Sequence, residues 1–292
     1  MHILRVFGEE IRRIWGKSVC PFPPVLNRIK TSELLANDLN MSITRFGDGE
    51  FNIILSQESI GFQEYNSKLD QRLREILSSP HDKHILVCIP NVFECISDLK
   101  PEPRSYWRRW IIGNRKALRN CLNQKEYGDS LVSRVYLPWV KTDDEITIVR
   151  NLKKTWENKN VLVVEGEKTH WGVGNDLLCE ANSVKRIVCP AVNAFSKYER
   201  ILQCCLEYGE GVDTFVLALG PTATVLAYDL AKKGYRALDL GHFDLQYEHM
   251  IRNATQRQQI EGKYNNELYE PYIGTVADGE YQRSVVINLC DE

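Results

Sequence analysis

Hydrophobic positions along this chain fall into two alternating patterns. Short unbroken apolar runs stand at 84–89 (HILVCI), 161–164, 187–189, 215–219 and 237–240. Runs of that length, rich in β-branched residues, predict strands buried on both faces. Stretches with apolar residues at helical spacing follow the last four, near 176–181, 195–208, 221–232 and 245–254. Strand, helix, strand, helix in that order predicts an α/β fold, a mostly parallel sheet with helices on both faces. Upstream, SITRF at 42–46 alternates as a short strand does, and 131–136 reads as another strand. Residues 67–78 set Leu69, Leu73, Ile76 and Leu77 at helical spacing, and 143–156 makes a further helix.

A long helix is expected at 104–122, with two stripes. One holds Trp107, Trp110, Ile111, Leu118 and Leu122; the other holds Arg104, Arg108, Arg115 and Arg119. The arginine stripe is either a solvated face or a ledge for a phosphate-bearing acceptor, since the guanidinium fork suits phosphate oxygens. Near the start, Val6, Phe7, Ile11 and Ile14 give an amphipathic helix at 6–15, suited to packing on the domain or lying on a membrane surface. PFPP at 21–24 ends it, and Thr31 or Ser32 can cap a helix running to Leu39. The chain therefore divides into an N-terminal helix and linker, 1–40, and one domain, 41–292. The polar, tyrosine-rich stretch 255–283 reads as a loop or lid, and 285–289 as a last strand.

Composition narrows the class. With 292 residues, 43% hydrophobic and 26% charged, the chain is an ordinary globular protein, and a net charge of −2 gives no electrostatic case for nucleic acid. No apolar run reaches the ~20 residues that cross a bilayer. Glu9, Glu10, Arg12 and Arg13 interrupt any signal-peptide core, so a cytoplasmic protein is expected. Nine cysteines without a CxxC pair read as buried reduced thiols rather than a zinc site or disulfide framework.

The chemistry gathers where strands end, which is where parallel sheets bind ligands. Four expected strand ends open into polar sequence: EGEKTHWGVGNDL after Val164, PAVNAFSKY after Cys189, GPTAT after Leu219 and GHFDLQYEH after Leu240. After SITRF comes GDGE. On an ideal helix Asp48 and Glu50 point about 200° apart, whereas in a looped segment they can converge on a hard cation such as Mg²⁺ or Mn²⁺. The plainer reading makes Asp48 a helix cap and Glu50 a favourable charge at the helix start. In GPTAT, Pro221 suits a first helical position, so the backbone there can hold phosphate or simply turn. His242 could complete a metal shell or contact a diphosphate. Asp244, then Glu248, are candidates to take a proton from a substrate hydroxyl, or else a cap and a solvated acid. GVGNDL carries half of a dinucleotide fingerprint, with Leu177 where its third glycine belongs, which excludes an NAD enzyme. A GxxxxGK(S/T) loop for ATP is absent.

RFGDGEF at 45–51, VEGEKTHWGVGNDL at 164–177, CPAVNAFSKY at 189–198, ALGPTATVLAYDL at 218–230, DLGHFDLQYE at 239–248 and GKYNNE at 262–267 together resemble the GT-D fold glycosyltransferases. That family was first described as a domain of unknown function in clusters that glycosylate adhesins, and it occurs in surface-polysaccharide clusters. The resemblance implies a Rossmann-like sheet of its own topology. It also implies metal-dependent transfer of a hexose, glucose or galactose, from a UDP-sugar to a protein- or lipid-linked glycan acceptor. It places the family's Asp-x-Glu metal motif on Asp48 and Glu50, serving Mn²⁺ or Mg²⁺, with His242 as a further candidate ligand. Donor-binding residues are then expected at Arg45, Gly47, Glu167, Lys168, Thr169, Gly172, Gly174, Asn175, Asp176, Asn193, Gly220, Pro221, Thr222 and Ala223. The family more often carries an apolar residue where Asn265 stands. A cytoplasmic enzyme working at the inner face of the membrane would suit such acceptors. The competing expectation is a non-catalytic nucleotide-sugar sensor or scaffold in a biosynthetic complex.

Overall fold

The computed structural model describes residues 21–93, 96–140, 143–270, 274 and 279–290, so the helix expected at 6–15 lies outside the described residues. Among the described residues eight strands form one sheet: β1 (Ser42–Arg45), β2 (Ile85–Ile89), β3 (Gly128–Asp129), β4 (Asn160–Gly166), β5 (Ser183–Cys189), β6 (Thr214–Ala218), β7 (Ala237–Asp239) and β8 (Val285–Asn288). Their order is β3-β2-β1-β7-β6-β4-β5-β8, with every neighbouring pair parallel.

The apolar runs become central strands because each supplies both faces of the sheet. In β4, Leu162 and Val164 enter one core cluster while Val161 and Val163 enter the other, following the two-residue period of a strand. The first cluster is closed by α2 (Asp48–Ser56), α3 (Ser67–Leu77), α4 (Pro101–Cys121), α6 (Tyr198–Tyr208) and α7 (Pro221–Lys232), through Phe51, Leu73, Trp107, Ile201 and Val225 among others. The second is closed by α1 (Arg28–Asn37), α5 (Asp144–Lys153) and α8 (Phe243–Ile251), through Leu35, Leu152 and Phe243. A short helix, α9 (Gly279–Ser284), leads into β8. The chain runs outward from β1 to β2 and β3, then restarts at β4, and β6 and β7 return on the other side of β4 to meet β1. Such reversals of strand order open a crevice at the carboxyl ends of the strands.

Four local expectations are corrected. The stretch expected as a strand at 131–136 is a 3-10 turn, Ser130–Ser133, because the Asp129 carboxylate accepts from Leu131 N (2.9 Å) and bends the chain as soon as β3 ends. The helix expected at 176–181 is a set of turns. Its backbone is drawn to the chain before β4 instead, through Asn158 N to Glu180 O (2.7 Å) and Asn182 N to Lys159 O (2.9 Å). The first described helix is capped by Asn27, not by Thr31 or Ser32, whose hydroxyls bond to Asp129 N and Ile29 O. Three of the four arginines in the α4 stripe are engaged by the protein itself rather than forming a ledge: Arg104 donates to the carbonyls of Ser97 and Leu99, Arg119 to those of Pro21 and Leu122, and Arg115 lies buried over the Phe22 ring. Cys88, Cys189, Cys204 and Cys205 are buried as expected, whereas Cys179 is exposed.

Burial pushes the Asp129 carboxyl up to about 7, against the N–H groups of Leu131 and Asn91, which favour its charged form. A folded value above the unfolded one means the native state holds an extra proton between about pH 4 and 7, so stability falls as pH rises through that window. Glu50, also pushed up to about 7 by burial, acts with the same sign. Asp129→Asn keeps an oxygen for both N–H groups and cannot ionise. Its unfolding midpoint should therefore fall less than the wild type's between about pH 5 and pH 8, a difference of a few kcal/mol at about 1.4 per pKa unit. Parallel pH dependence of the two proteins in calorimetry would refute this account.

Candidate functional site at the carboxyl edge of the sheet

The strand ends at this edge line a cavity of about 390 Å³. Arg45 and the start of α2 come from β1, Gly166, Thr169 and Trp171 from β4, Pro190, Ala191 and Ala194 from β5, Ala218 to Gly220 from β6, and Gly241, His242, Asp244 and Leu245 from β7. The loop Ile60, Gly61, Phe62 and Gln63 forms one further wall, and Tyr264, Asn266 and Glu267 form another. Two glycines make this convergence fit. Gly220 has φ +53°, and a Cβ there would lie 2.3 Å from the Phe62 ring; Gly241 has φ +46°, and a Cβ would lie 2.5 Å from Arg45 Nη2. Both sit in the left-handed region, and at neither is there room for a side chain.

Asp48 and Glu50 both line the cavity, but from within a helix. Gly47 is the N-cap, Asp48 opens α2, and Glu50 turns back so that its Oε2 accepts from Gly47 N (2.7 Å). The convergent loop is thus corrected to a helical first turn. Burial, opposed by the Gly47 N–H, pushes the Glu50 carboxyl up to about 7. Asp48 accepts from the Tyr106 hydroxyl of α4. Among the described residues no three His, Cys, Asp or Glu side chains are grouped so as to hold a metal ion, so His242 does not complete a set with the two carboxylates. Instead its Nδ1 lies 3.7 Å from Glu267, and burial with the nearby Arg134 guanidinium lowers its pKa despite that carboxylate. Burial alone would raise the Glu267 carboxyl, but Arg134 (2.5 Å), His242 and Arg257 (2.7 Å) hold it well below the usual range.

Two oxygen donors on a cavity wall suit Mg²⁺ or Mn²⁺ as part of a substrate complex, where waters and phosphate oxygens fill the remaining positions. They do not make a cage that would hold the ion alone. Other features of the lining also suit a polar ligand. Trp171 Nε1 and Asn266 Oδ1 are buried without a hydrogen-bond partner among the described residues, and so is Thr222 Oγ1, two residues past Gly220 in the first turn of α7. Unpaired buried polar atoms are destabilising unless a ligand or water satisfies them.

Of the other expected donor-binding residues, Arg45, Gly47, Thr169 and Gly220 lie on or beside the cavity. Arg45 turns its donors inward, to Asp239 Oδ1 (2.9 Å), Asp239 O (2.5 Å), Ser130 O (3.1 Å) and Ser133 Oγ (2.6 Å), so it joins β1, β7 and the 3-10 turn. Pro221, Thr222 and Ala223 are buried in the first turn of α7 behind Gly220. Asn193 lies outside the lining and holds the opposite wall, taking Glu64 N on its Oδ1 (2.6 Å) and donating its own N–H to Phe62 O (2.9 Å). Glu167 and Lys168 are exposed beyond the lining, with Lys168 O accepting from Tyr264 N (2.7 Å). Gly172, Gly174, Asn175 and Asp176 also fall outside it: the glycines carry positive φ through the loop, and Asp176 pairs with Lys153 and accepts from Tyr247.

The two expected bases are both hydrogen-bonded to neighbouring loops, Asp244 on the cavity wall and Glu248 behind it. Asp244 accepts from Gly172 N (3.1 Å), Asn175 Nδ2 (2.7 Å) and Lys263 Nζ (2.6 Å). Glu248 lies off the cavity, held by Asn175 (2.8 Å), Arg252 (3.1 Å) and Lys263 (3.5 Å). Each carboxylate ties loops together through Asn175 and Lys263, and Asp244 does so from the cavity wall. Sequence reasoning missed Arg134, Phe62, Asn52 and Tyr106 as site residues. Glu267 did carry a signal, as the last residue of GKYNNE.

Comparison with known proteins agrees with this architecture. The family profile described as "Glycosyltransferase GT-D fold" matches residues 43–268. The "Probable glycosyl transferase Gly" of Streptococcus gordonii is 34% identical over 252 residues, covering 86% of this chain and 37% of that protein. The "Glycosyltransferase GlyD" of Streptococcus pneumoniae is 34% identical over 251 residues, 86% of this chain and 31% of its own length. The chain thus spans about a third of these relatives. Among solved structures, a domain described as having a distinct glycosyltransferase fold superimposes with a TM-score of 0.89 at 35% identity, covering 94% of this chain and 99% of its own. A glycosyltransferase from Streptococcus sanguinis gives 0.87 at 34% identity, covering 91% and 99%.

Proposed function

Since the chain belongs to the glycosyltransferases of GT-D fold, we propose that it transfers a hexose, glucose or galactose, from a UDP-sugar to a protein- or lipid-linked glycan acceptor. The observation that carries this reading is the meeting of Asp48, Glu50 and the amino end of α7 in one cavity at the reversal of strand order. A helix amino end offers free N–H groups and a positive partial charge to a diphosphate. The left-handed Gly220 brings that backbone to the cavity wall with no side chain in between. Phe62 and Ile60 supply an apolar surface beside it, while Trp171 Nε1 and Asn266 Oδ1 are an unpaired donor and acceptor for a polar ligand.

Mn²⁺ or Mg²⁺ held through Asp48 and Glu50 would supply positive charge to the departing diphosphate. The protein's own part is to position the donor, to exclude water with the walls at 60–63 and 264–267, and to hold N–H groups toward the leaving oxygen. No described helix is long and apolar enough to cross a membrane. A membrane-linked acceptor would then be met at the bilayer surface.

A thermal-shift panel of UDP, GDP, ADP and NAD, each with and without Mn²⁺, tests the donor class, because a ligand that binds the folded state raises its midpoint. A shift with UDP that depends on Mn²⁺ is expected; a shift with ADP or NAD alone would overturn the reading. UDP release from a panel of UDP-sugars then separates an enzyme from a sensor or scaffold, which would bind UDP and turn over no donor.

A further inference from the structure

The first turn of α2 is clamped by α4 through a two-rung contact. Asp48 and Asn52 stand four residues apart on one helix, Tyr106 and Trp110 four apart on the other, so each pair shares a face. The Tyr106 hydroxyl donates to Asp48 Oδ2, and Trp110 Nε1 donates to Asn52 Oδ1 (3.2 Å). The rungs are backed by aromatic packing: Trp110 lies 5.8 Å from the Phe51 ring and 5.4 Å from Trp107, which lies 5.4 Å from Tyr106. Trp107 is buried, so α4 is fixed from behind, while Tyr106 is 39% exposed. A bare aspartate at the start of a helix samples several rotamers. Here Oδ2 is tied to α4, which leaves Oδ1 as the oxygen the carboxylate can offer to a ligand.

We infer that Tyr106 is a positioning residue, whose hydroxyl holds the Asp48 carboxylate in the orientation that presents its other oxygen to a divalent ion and the diphosphate it accompanies. The inference rests on the role given to Asp48 above. Its physical content is pre-organisation: a hydrogen bond to a charged group fixes an Asp48 rotamer that would otherwise have to be selected on binding. Tyr106→Phe keeps the ring and its contact with Trp107 and removes only the donor. Trp110→Phe breaks the second rung without touching Asp48.

The experiment titrates Mn²⁺ into UDP-loaded protein by calorimetry, for the wild type, Tyr106→Phe, Trp110→Phe, Asp48→Asn and the double variant Tyr106→Phe/Asp48→Asn, with melting midpoints recorded for each. Tyr106→Phe should need about tenfold more Mn²⁺ for half-saturation, the usual scale of one hydrogen bond to a charged group. Its midpoint and its metal-free affinity for UDP should match the wild type. Asp48→Asn should weaken Mn²⁺ binding further, and the double variant should be no weaker than Asp48→Asn alone, because the hydroxyl acts through that carboxylate. A wild-type titration by Tyr106→Phe beside a weakened Asp48→Asn overturns the positioning role and leaves the metal reading standing. Wild-type titration by Asp48→Asn overturns both. A loss in Tyr106→Phe matched by Trp110→Phe, with lowered midpoints in both, would reduce the contact to helix packing and also overturns the inference.

Discussion

Asp48→Asn should lower turnover of the UDP-sugar by about 100-fold or more with the fold intact, since removing one electrostatic stabiliser of a departing oxyanion typically has that effect. Asp48 opens α2 at the cavity wall, and the change removes a charge without altering volume. Glu50→Gln should behave alike. The amide oxygen can still accept from Gly47 N, so the helix start survives and any loss of turnover reports the charge. Glu50→Ala would add the loss of that cap, about 1 kcal/mol. Turnover close to wild type in either charge-neutral variant, assayed with Mn²⁺, would remove the metal role.

Lys263→Met should produce the largest loss of stability. The Lys263 ammonium is buried between Asp244 (2.6 Å) and Glu248 (3.5 Å), with all three side chains no more than 4% exposed. Taking away the cation leaves two buried carboxylates with only Asn175, the Gly172 N–H and Arg252 as partners. Breaking a buried pair in this way costs about 3–5 kcal/mol. In a domain of this size the midpoint should fall by roughly 10 °C. Adding Asp244→Asn and Glu248→Gln, which removes the unpaired charges, should restore much of the deficit. An unchanged midpoint would mean that these acids are not anchors.

The parts of the fold that could be read from the chain are those fixed by burial alone. The runs at 161–164 and 215–219 are apolar at every position because both faces of the strand are covered, and no partner need be known to see that. The same logic failed at 131–136. Val132, Val135 and Tyr136 are as buried as strand residues, but they lie in and just after a turn that Asp129 caps and Arg45 grips. Apolar content reports burial and not conformation. At 176–181 a helical spacing met glycines at 172 and 174 held at positive φ, and the following backbone found partners near β4 instead.

The candidate site was legible as a set of strand ends and only partly as residues. GDGE and GPTAT were placed at the cavity because a strand must end there, whatever the sheet order. The roles within those motifs were decided by partners distant in the chain. Asp244 and Glu248 looked like free acids until Lys263, 19 residues beyond Asp244, came to lie against them. Arg45 looked like a phosphate ligand until Asp239, 194 residues away, claimed its guanidinium. Tyr106 carried no signal, since its distinction is a contact 58 residues back, with Asp48.

The sequence by itself determined the sheet, the alternation of strand and helix, and the edge where ligands collect, because burial with a fixed period is written into neighbouring residues. Only the tertiary structure decided which polar groups face the cavity and which are tied to one another. Hydrogen bonds and ion pairs depend on distances of a few ångströms between segments that no local period relates.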